Sequence, residues 1–303
     1  MRIASTQYHA TMNSALQEAS GRVETLMQKM ASGQRMLQPS DDPVNGVRLS
    51  RLRREDAALG QYRDNIGALR SRLQQNEGSL GSMVKTMLQV RDLVVWASDG
   101  SNSPKDLQAI ADSLQSLRDS LFYSGNEKDQ EGHYLFSGTA VTTPTLTLNA
   151  AAAVGSRYTA TGNTAQQQVV VGNGVTQPAN VSTPELAALL NQLDSSIAAL
   201  RTPGATANVP AVQATLTANL DGLDTTLDAI NTKIATLGGA QNIVQTLDDN
   251  HANVSLSLQQ SALKLGQLDY AEAAVQLNGY TSAVQATQKA YGKVSTLSLF
   301  DVL

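Results

Sequence analysis

Three histidines, two adjacent aspartates and a run of arginines are the side chains here best suited to chemistry. Their spacing argues against it. His9, His133 and His251 stand far apart, so no local pattern sets two of them up for proton transfer or metal binding. His251 falls at a heptad position, where a packed or interface histidine is the simpler reading. Asp41 and Asp42 could ligate a cation, but no third ligand is spaced to join them, and no metal site is expected. Arg48, Arg51, Arg53, Arg54, Arg63, Arg70 and Arg72 face Glu55, Asp56 and Asp64 in the same stretch. Nucleic acid could bind such a cluster. No aromatic platform accompanies it, and the chain carries a formal charge of -4, so a solvated or subunit-facing side is favoured. There is no phosphate loop, no GxSxG elbow and no HExxH pair. Neither an enzyme nor a cofactor is expected.

The elements that hold these residues are helices. Between Leu59 and Ala97 an apolar stripe recurs at steps of three and four: Leu59, Tyr62, Ile66, Leu69, Leu73, Asn76, Leu80, Met83, Met87, Val90, Val94, Ala97. Only Asn76 is strongly polar. This is a heptad pattern without proline, about 60 Å long at ~1.5 Å per residue. Met12, Leu16, Ala19, Val23, Leu26 and Met30 form a second stripe, which should end near Gly33. Pro39-Ser40-Asp41-Asp42-Pro43 then stops one helix and starts the next. Pro39 cannot extend the first, Pro43 suits a first turn, and Asp42 or Ser40 can cap. Ser103 and Pro104 open a third helix striped by Leu107, Ile110, Leu114, Leu117 and Leu121.

Helical periodicity disappears from His133 to about Val181. Tyr134–Phe136, Thr145–Leu148, Tyr158–Thr161 and Val169–Val171 read as short strands, with Gly162-Asn163 and Gly172-Asn173-Gly174 as turns. A short helix follows over 184–200. Heptads return at Leu216, Leu220, Leu223, Leu227, Ile230, Ile234 and Leu237, and Gly238-Gly239 should interrupt or bend that helix. The last run, about 240–297, adds Leu256, Leu263, Tyr270, Leu277, Val284 and Tyr291 at intervals of seven. A helix apolar on two sides has two partners.

Composition agrees with this. Aromatics are 4% and cysteines zero, which suits helical bundles and excludes disulfide staples and thiolate metal sites. Met1–Gln7 lack the apolar core and cleavage site of a secretory signal, and no apolar run is long enough to span a membrane. The expected fold is mainly α: an elongated antiparallel bundle or coiled coil built from both chain ends, with a small β-rich head inserted between them. Three domains are expected: 1–38 with 260–303, 39–132 with 206–259, and the head at 133–205. The end helices carry apolar faces that a lone chain has little to cover, which favours ordering on assembly. An intracellular coiled-coil module using the Arg48–Arg72 face is the remote alternative.

Particular motifs also resemble the bacterial flagellin family. They are Met1-Arg2-Ile3, Ser32-Gly33-Gln34-Arg35, Pro39-Ser40-Asp41-Asp42-Pro43, Leu237-Gly238-Gly239-Ala240-Gln241-Asn242 and Leu268-Asp269-Tyr270-Ala271-Glu272. The resemblance covers residues 1–138 and 206–303. Gly132-His133-Tyr134-Leu135-Phe136-Ser137-Gly138-Thr139 and the short insert resemble the hook–filament junction members of the family more than its filament subunit, flagellin, which is the near alternative. The resemblance implies export through the flagellar type III apparatus without a cleaved signal, and an extracellular place in the flagellum. It implies that terminal helices pack between subunits as an inner tube. Met12, Leu16, Val23, Leu26, Met30, Leu263, Tyr270, Leu277, Val284 and Tyr291 are then the subunit-interface candidates, and Pro39, Asp41, Asp42 and Pro43 form the interdomain turn. Implied partners are further copies of the chain, the first hook-associated junction protein, flagellin and an export chaperone. Neither nucleic acid nor membrane insertion is implied.

Overall fold

The computed structural model describes residues 2–296; Met1 and the apolar tail 297–303 lie outside the described residues. Six helices and two small hairpins follow in the order α1 (Arg2–Ser32), α2 (Pro43–Ala97), α3 (Pro104–Gly125), β1 (Leu146–Leu148), β2 (Tyr158–Ala160), β3 (Gln168–Gly172), β4 (Val175–Pro178), α4 (Glu185–Leu200), α5 (Pro210–Gly266) and α6 (Tyr270–Thr296). Mainly α with a small β region is the class that periodicity predicts. The chain's own contacts divide it into two compact units, residues 1–59 with 253–303 and residues 60–252. The β region belongs to the second, so the expected line at 132/133 falls inside that unit.

In the larger unit the stripe of α2 is the inner face. Ile66, Leu69, Leu73, Leu80, Met83, Met87, Val90, Val94 and Ala97 are buried against the inner faces of α3, α4 and α5. Burying each large side chain is worth about 1.5–3 kcal/mol, which far outweighs the propensity of any one position. Asn76 is fully buried in that stripe and its side-chain amide finds no partner among the described residues. Helix α3 starts as expected: Ser103 Oγ accepts from the Asp106 amide, Asp106 reaches back to the Ser103 amide, and Pro104 is the first helical residue. This reciprocal arrangement satisfies two orphan donors.

Gly238-Gly239 neither interrupts nor ends α5, which continues to Gly266. Each glycine costs only ~1 kcal/mol in a helix, while buried Leu237, Ala240 and Val244 flank the pair. Burial wins. Nothing lies within 4 Å of a Cβ placed on either glycine. Gly239→Ala should therefore raise the stability of the isolated chain by up to about 1 kcal/mol, read as an upward shift in thermal midpoint.

The break falls further on. Helix α5 stops at Gly266 and α6 begins at Tyr270, inside the run expected to be continuous from 240 to 297. The signal was Leu268-Asp269: Asp269 Oδ1 accepts from the Ala271 amide at 2.9 Å and the Glu272 amide at 3.2 Å. That is an N-cap, which needs a non-helical residue before it.

The β region holds two antiparallel pairs, Leu146–Leu148 on Tyr158–Ala160 and Gln168–Gly172 on Val175–Pro178. Tyr134–Phe136 is no strand. Leu135 and Phe136 are buried plugs of the core, while Tyr134 donates its amide to Val141 O and Leu135 to Glu127 O. An apolar triplet surrounded by turns can bury side chains with no more than the one bridge Tyr134 makes to Lys128, and Gly138 makes the turn possible. Its φ is +73°, and a Cβ there would sit 2.2 Å from the Asn163 carbonyl oxygen. Helix α4 anchors the first hairpin. Asn191 accepts from the Tyr158 amide at 2.9 Å and donates to its carbonyl at 2.8 Å, as a neighbouring strand would.

Candidate assembly surface of the terminal unit

The smaller unit is built from the two ends of the chain. Helix α1 packs along α6 in antiparallel fashion. Tyr270 Oη donates to the Met30 carbonyl at 2.9 Å near one end of the seam, and the rings of His9 and Tyr291 meet edge to face at 5.5 Å near the other. On α1 the less exposed positions are Met12, Leu16, Ala19, Val23, Leu26 and Met30; on α6 they are Ala273, Leu277, Tyr280, Val284 and Tyr291. Both sets keep the heptad steps of an antiparallel coiled-coil seam. Among the described residues of these two helices, only Leu26 and Ala273 are buried.

The structure thus brings nine of the ten interface candidates to the ends of this seam or along it. Leu263 is the exception. It lies on α5, is 64% exposed, and shares that state with Leu256. The stripe at intervals of seven is therefore not one face: the cap at Asp269 separates Leu256 and Leu263 from Leu277, Val284 and Tyr291. Met27, Val44, Val47, Val254 and Val275 are also exposed large side chains of this unit.

A backbone clip closes the seam's end. Helix α1 ends at Ser32, Gly33 takes φ +67°, and Gln34 pairs antiparallel with Gln267. Arg35 N donates to Gly266 O at 2.8 Å and Leu268 N to Gly33 O at 3.0 Å. Both chain ends leave helical geometry at the same level, so each satisfies the other's free backbone groups. The Ser32-Gly33-Gln34-Arg35 and Leu268-Asp269-Tyr270 motifs are the two halves of this clip.

Pro39–Pro43 is the turn that leads into α2. Asp42 caps it, accepting from the Asn45 amide at 3.1 Å and from Asn45 Nδ2 at 2.7 Å, with Arg35 at 3.1 Å. Asp41 accepts from the Leu37 amide at 3.0 Å and sits 3.3 Å from Lys29 Nζ. These bonds favour the ionised forms. The Leu37 amide first, then Lys29, hold Asp41 below its ordinary 3.8, and the Asn45 side chain and amide hold Asp42 below it. A carboxyl lowered in the folded state stabilises fully above its unfolded value and loses that effect as pH falls through its folded value. Stability of the terminal unit should fall as the pH drops below about 4, and the fall should be shallower in Asp42→Ala, as read by circular dichroism.

Two grooves flank this turn. Met36, Leu49, Leu52, Arg53, Leu258 and Leu263 are among the residues lining one of about 680 Å³. The other, about 460 Å³, shares Met36, Leu49 and Arg53 and adds Arg54. Asp56 is held by Ser255 and Gln259 beside them.

The remaining candidates for chemistry are dispersed. His251 Nε2 lies 2.8 Å from the Val171 carbonyl, with the Tyr62 ring 5.7 Å away, so it anchors the β3–β4 hairpin. His133 lies near Asp129 and Glu131. Asp129 Oδ1 is already bonded to the Glu131 and His133 amides, both at 2.9 Å, which shapes the loop. Arg51 pairs with Glu55, Arg63 with Asp248 at 2.8 Å, and Arg70 with Gln245 at 2.6 Å. The arginine run is partly used within the fold. No helix is long and apolar enough to cross a membrane among the described residues.

Paired helical chain ends, a packed second unit and apolar side chains left over on the terminal unit define a structural assembly subunit. The comparisons with known proteins agree. A model of the bacterial flagellin N-terminal helical region matches residues 3–141. The solved structure described as a hook-associated flagellar protein from Vibrio parahaemolyticus is 32% identical, with a TM-score of 0.67, covering 74% of this chain and 99% of that one. Flagellar hook-associated protein 3 of Escherichia coli strain K12 is 28% identical over 293 residues, covering 91% of each chain. Polar flagellin C of Vibrio parahaemolyticus is 29% identical but matches only 41% of this chain and 32% of its own length. The chain belongs to the bacterial flagellin family, and is a structural subunit of the flagellum.

Proposed function

We propose that this subunit forms the hook–filament junction, seated between the first hook-associated junction protein and the flagellin filament, without catalysing a reaction. The observation that carries the reading is the extent of the match: relatives named hook-associated protein 3 align over nearly their whole length, and flagellins over about a third of theirs. The geometry supports it. The terminal unit offers helical surfaces of the family's own kind, while unit 60–252 has its own core.

On this reading residues 1–38 and 260–303 line the inner tube, the parts at 39–132 and 206–259 touch neighbouring copies, and the β region at 133–205 faces outward, except where its β3–β4 hairpin packs back on α2 and α5 at Asn65 and His251. The subunit lies outside the cell, exported through the flagellar apparatus. An export chaperone covers the C-terminal helix beforehand, since Tyr270 and Val275 would otherwise stand exposed in the cytoplasm.

Deleting the gene tests this. Cells should make hooks without filaments and lose flagellin to the medium. Normal filaments in the deletion strain would refute the junction role. Long filaments growing from purified protein on seeds would instead favour flagellin itself.

A further inference from the structure

The groove beside the Pro39–Pro43 turn is apolar at its base and positive at its rim. Met36, Leu49, Leu258 and Leu263 line it, and Arg53 stands over it. Arg48, Arg53 and Arg54 are exposed, and none has a hydrogen bond or ion pair among the described residues. Arg53 lines this groove with Asp56, and Arg53 and Arg54 both line the groove adjoining it, so two guanidinium groups face a single carboxylate and the excess positive charge suits an occupant apolar at its tip and acidic at its flanks.

Unit 60–252 carries such a feature. The β3–β4 hairpin presents Val170 and Val175, 46% and 39% exposed. Its backbone is pinned from behind: Asn65 Nδ2 donates to Val170 O at 2.9 Å and His251 Nε2 bonds Val171 O at 2.8 Å. Val171 itself is buried. The knob is therefore rigid before it meets anything, which lowers the entropic cost of docking. Asp64, next to Asn65, and Asp249, two residues before His251, are both exposed. Together with Asp248 they surround the single Arg63, so this end of the unit has carboxylates in excess.

We infer that the β3–β4 hairpin of one copy seats in the groove of a second copy, with Val170 and Val175 against Leu49, Leu258 and Leu263, and Asp64 and Asp249 facing Arg53 and Arg54. The inference rests on the junction reading and adds the contact between copies. Knob and groove are different surfaces of the same chain, so the interface is heterologous. Each docked copy still offers one of each, and the contact propagates into a ring or helix rather than closing as a dimer.

The chain has no cysteine, which makes the test clean. Val170→Cys and Leu263→Cys variants are co-expressed in the deletion strain as separate, differently tagged chains, and flagella are isolated under mild oxidation. A disulfide-linked pair carrying both tags is the expected product, absent when either cysteine is omitted and absent from dilute purified monomers. Arg53→Glu with Arg54→Glu should lose attached filaments, and adding Asp64→Arg with Asp249→Arg should restore them. Flagella that carry the chain by antibody label yet yield no doubly tagged pair would overturn the contact and leave the junction reading standing. Linkage of residue 263 to a different flagellar protein would overturn it as well. Flagella that carry none of the chain would overturn both.

Discussion

Asp194→Ala should cost unit 60–252 about 3 kcal/mol or more, a fall large enough to shift its denaturant midpoint plainly. The Asp194 side chain is 4% exposed and binds Arg118 Nη1 at 2.8 Å, Arg157 Nη1 at 3.4 Å and the Gly155 amide at 3.3 Å. Arg118 is itself only 13% exposed. Removing the carboxylate leaves the largely buried Arg118 guanidinium with only the more exposed Asp119 carboxylate at 2.9 Å to offset it and Arg157 of like charge nearby, and that desolvation cost exceeds the value of the lost ion pair. The loop before β2 would also lose its tie to α4. Asp194→Asn keeps an acceptor for the Gly155 amide without the charge and should fall between the two. An alanine variant that unfolds with the parent protein would show that water reaches this cluster.

Leu277→Asp should abolish filament attachment while unit 60–252 keeps its own unfolding transition. Leu277 lies half-buried in the seam between α1 and α6, where few positions are buried fully and the helices have little margin. A carboxylate there must be desolvated without a partner, or the seam must open; either costs several kcal/mol. The loss should appear as hooks without filaments in cells and as lower helicity in the purified protein. Filament counts equal to those of the parent strain would remove the seam from assembly.

Much of this architecture was legible in the residues because it depends on local rules. The stripe from Ile66 to Ala97 is the inner face of α2 since helical geometry alone puts every third and fourth side chain on one side. Ser103-Pro104 and Asp42-Pro43 start helices because a side-chain acceptor and a fixed φ act within one turn.

Where prediction and structure part, energies of different origin compete. At Gly238-Gly239 a backbone penalty opposes the burial of Leu237, Ala240 and Val244, and only packing reveals that burial wins. At Tyr134–Phe136 the residue types favour a strand, but pairing stops at a single bridge between Tyr134 and Lys128 and the core takes Leu135 and Phe136. The clip of Gln34 with Gln267, the hold of His251 on Val171 and the cluster of Arg118, Arg157 and Asp194 join residues far apart in the chain. Periodicity identifies which face of a helix is apolar; it carries no information about what lies against that face. Those pairings exist because the chain folds back on itself, and so belong to tertiary structure alone.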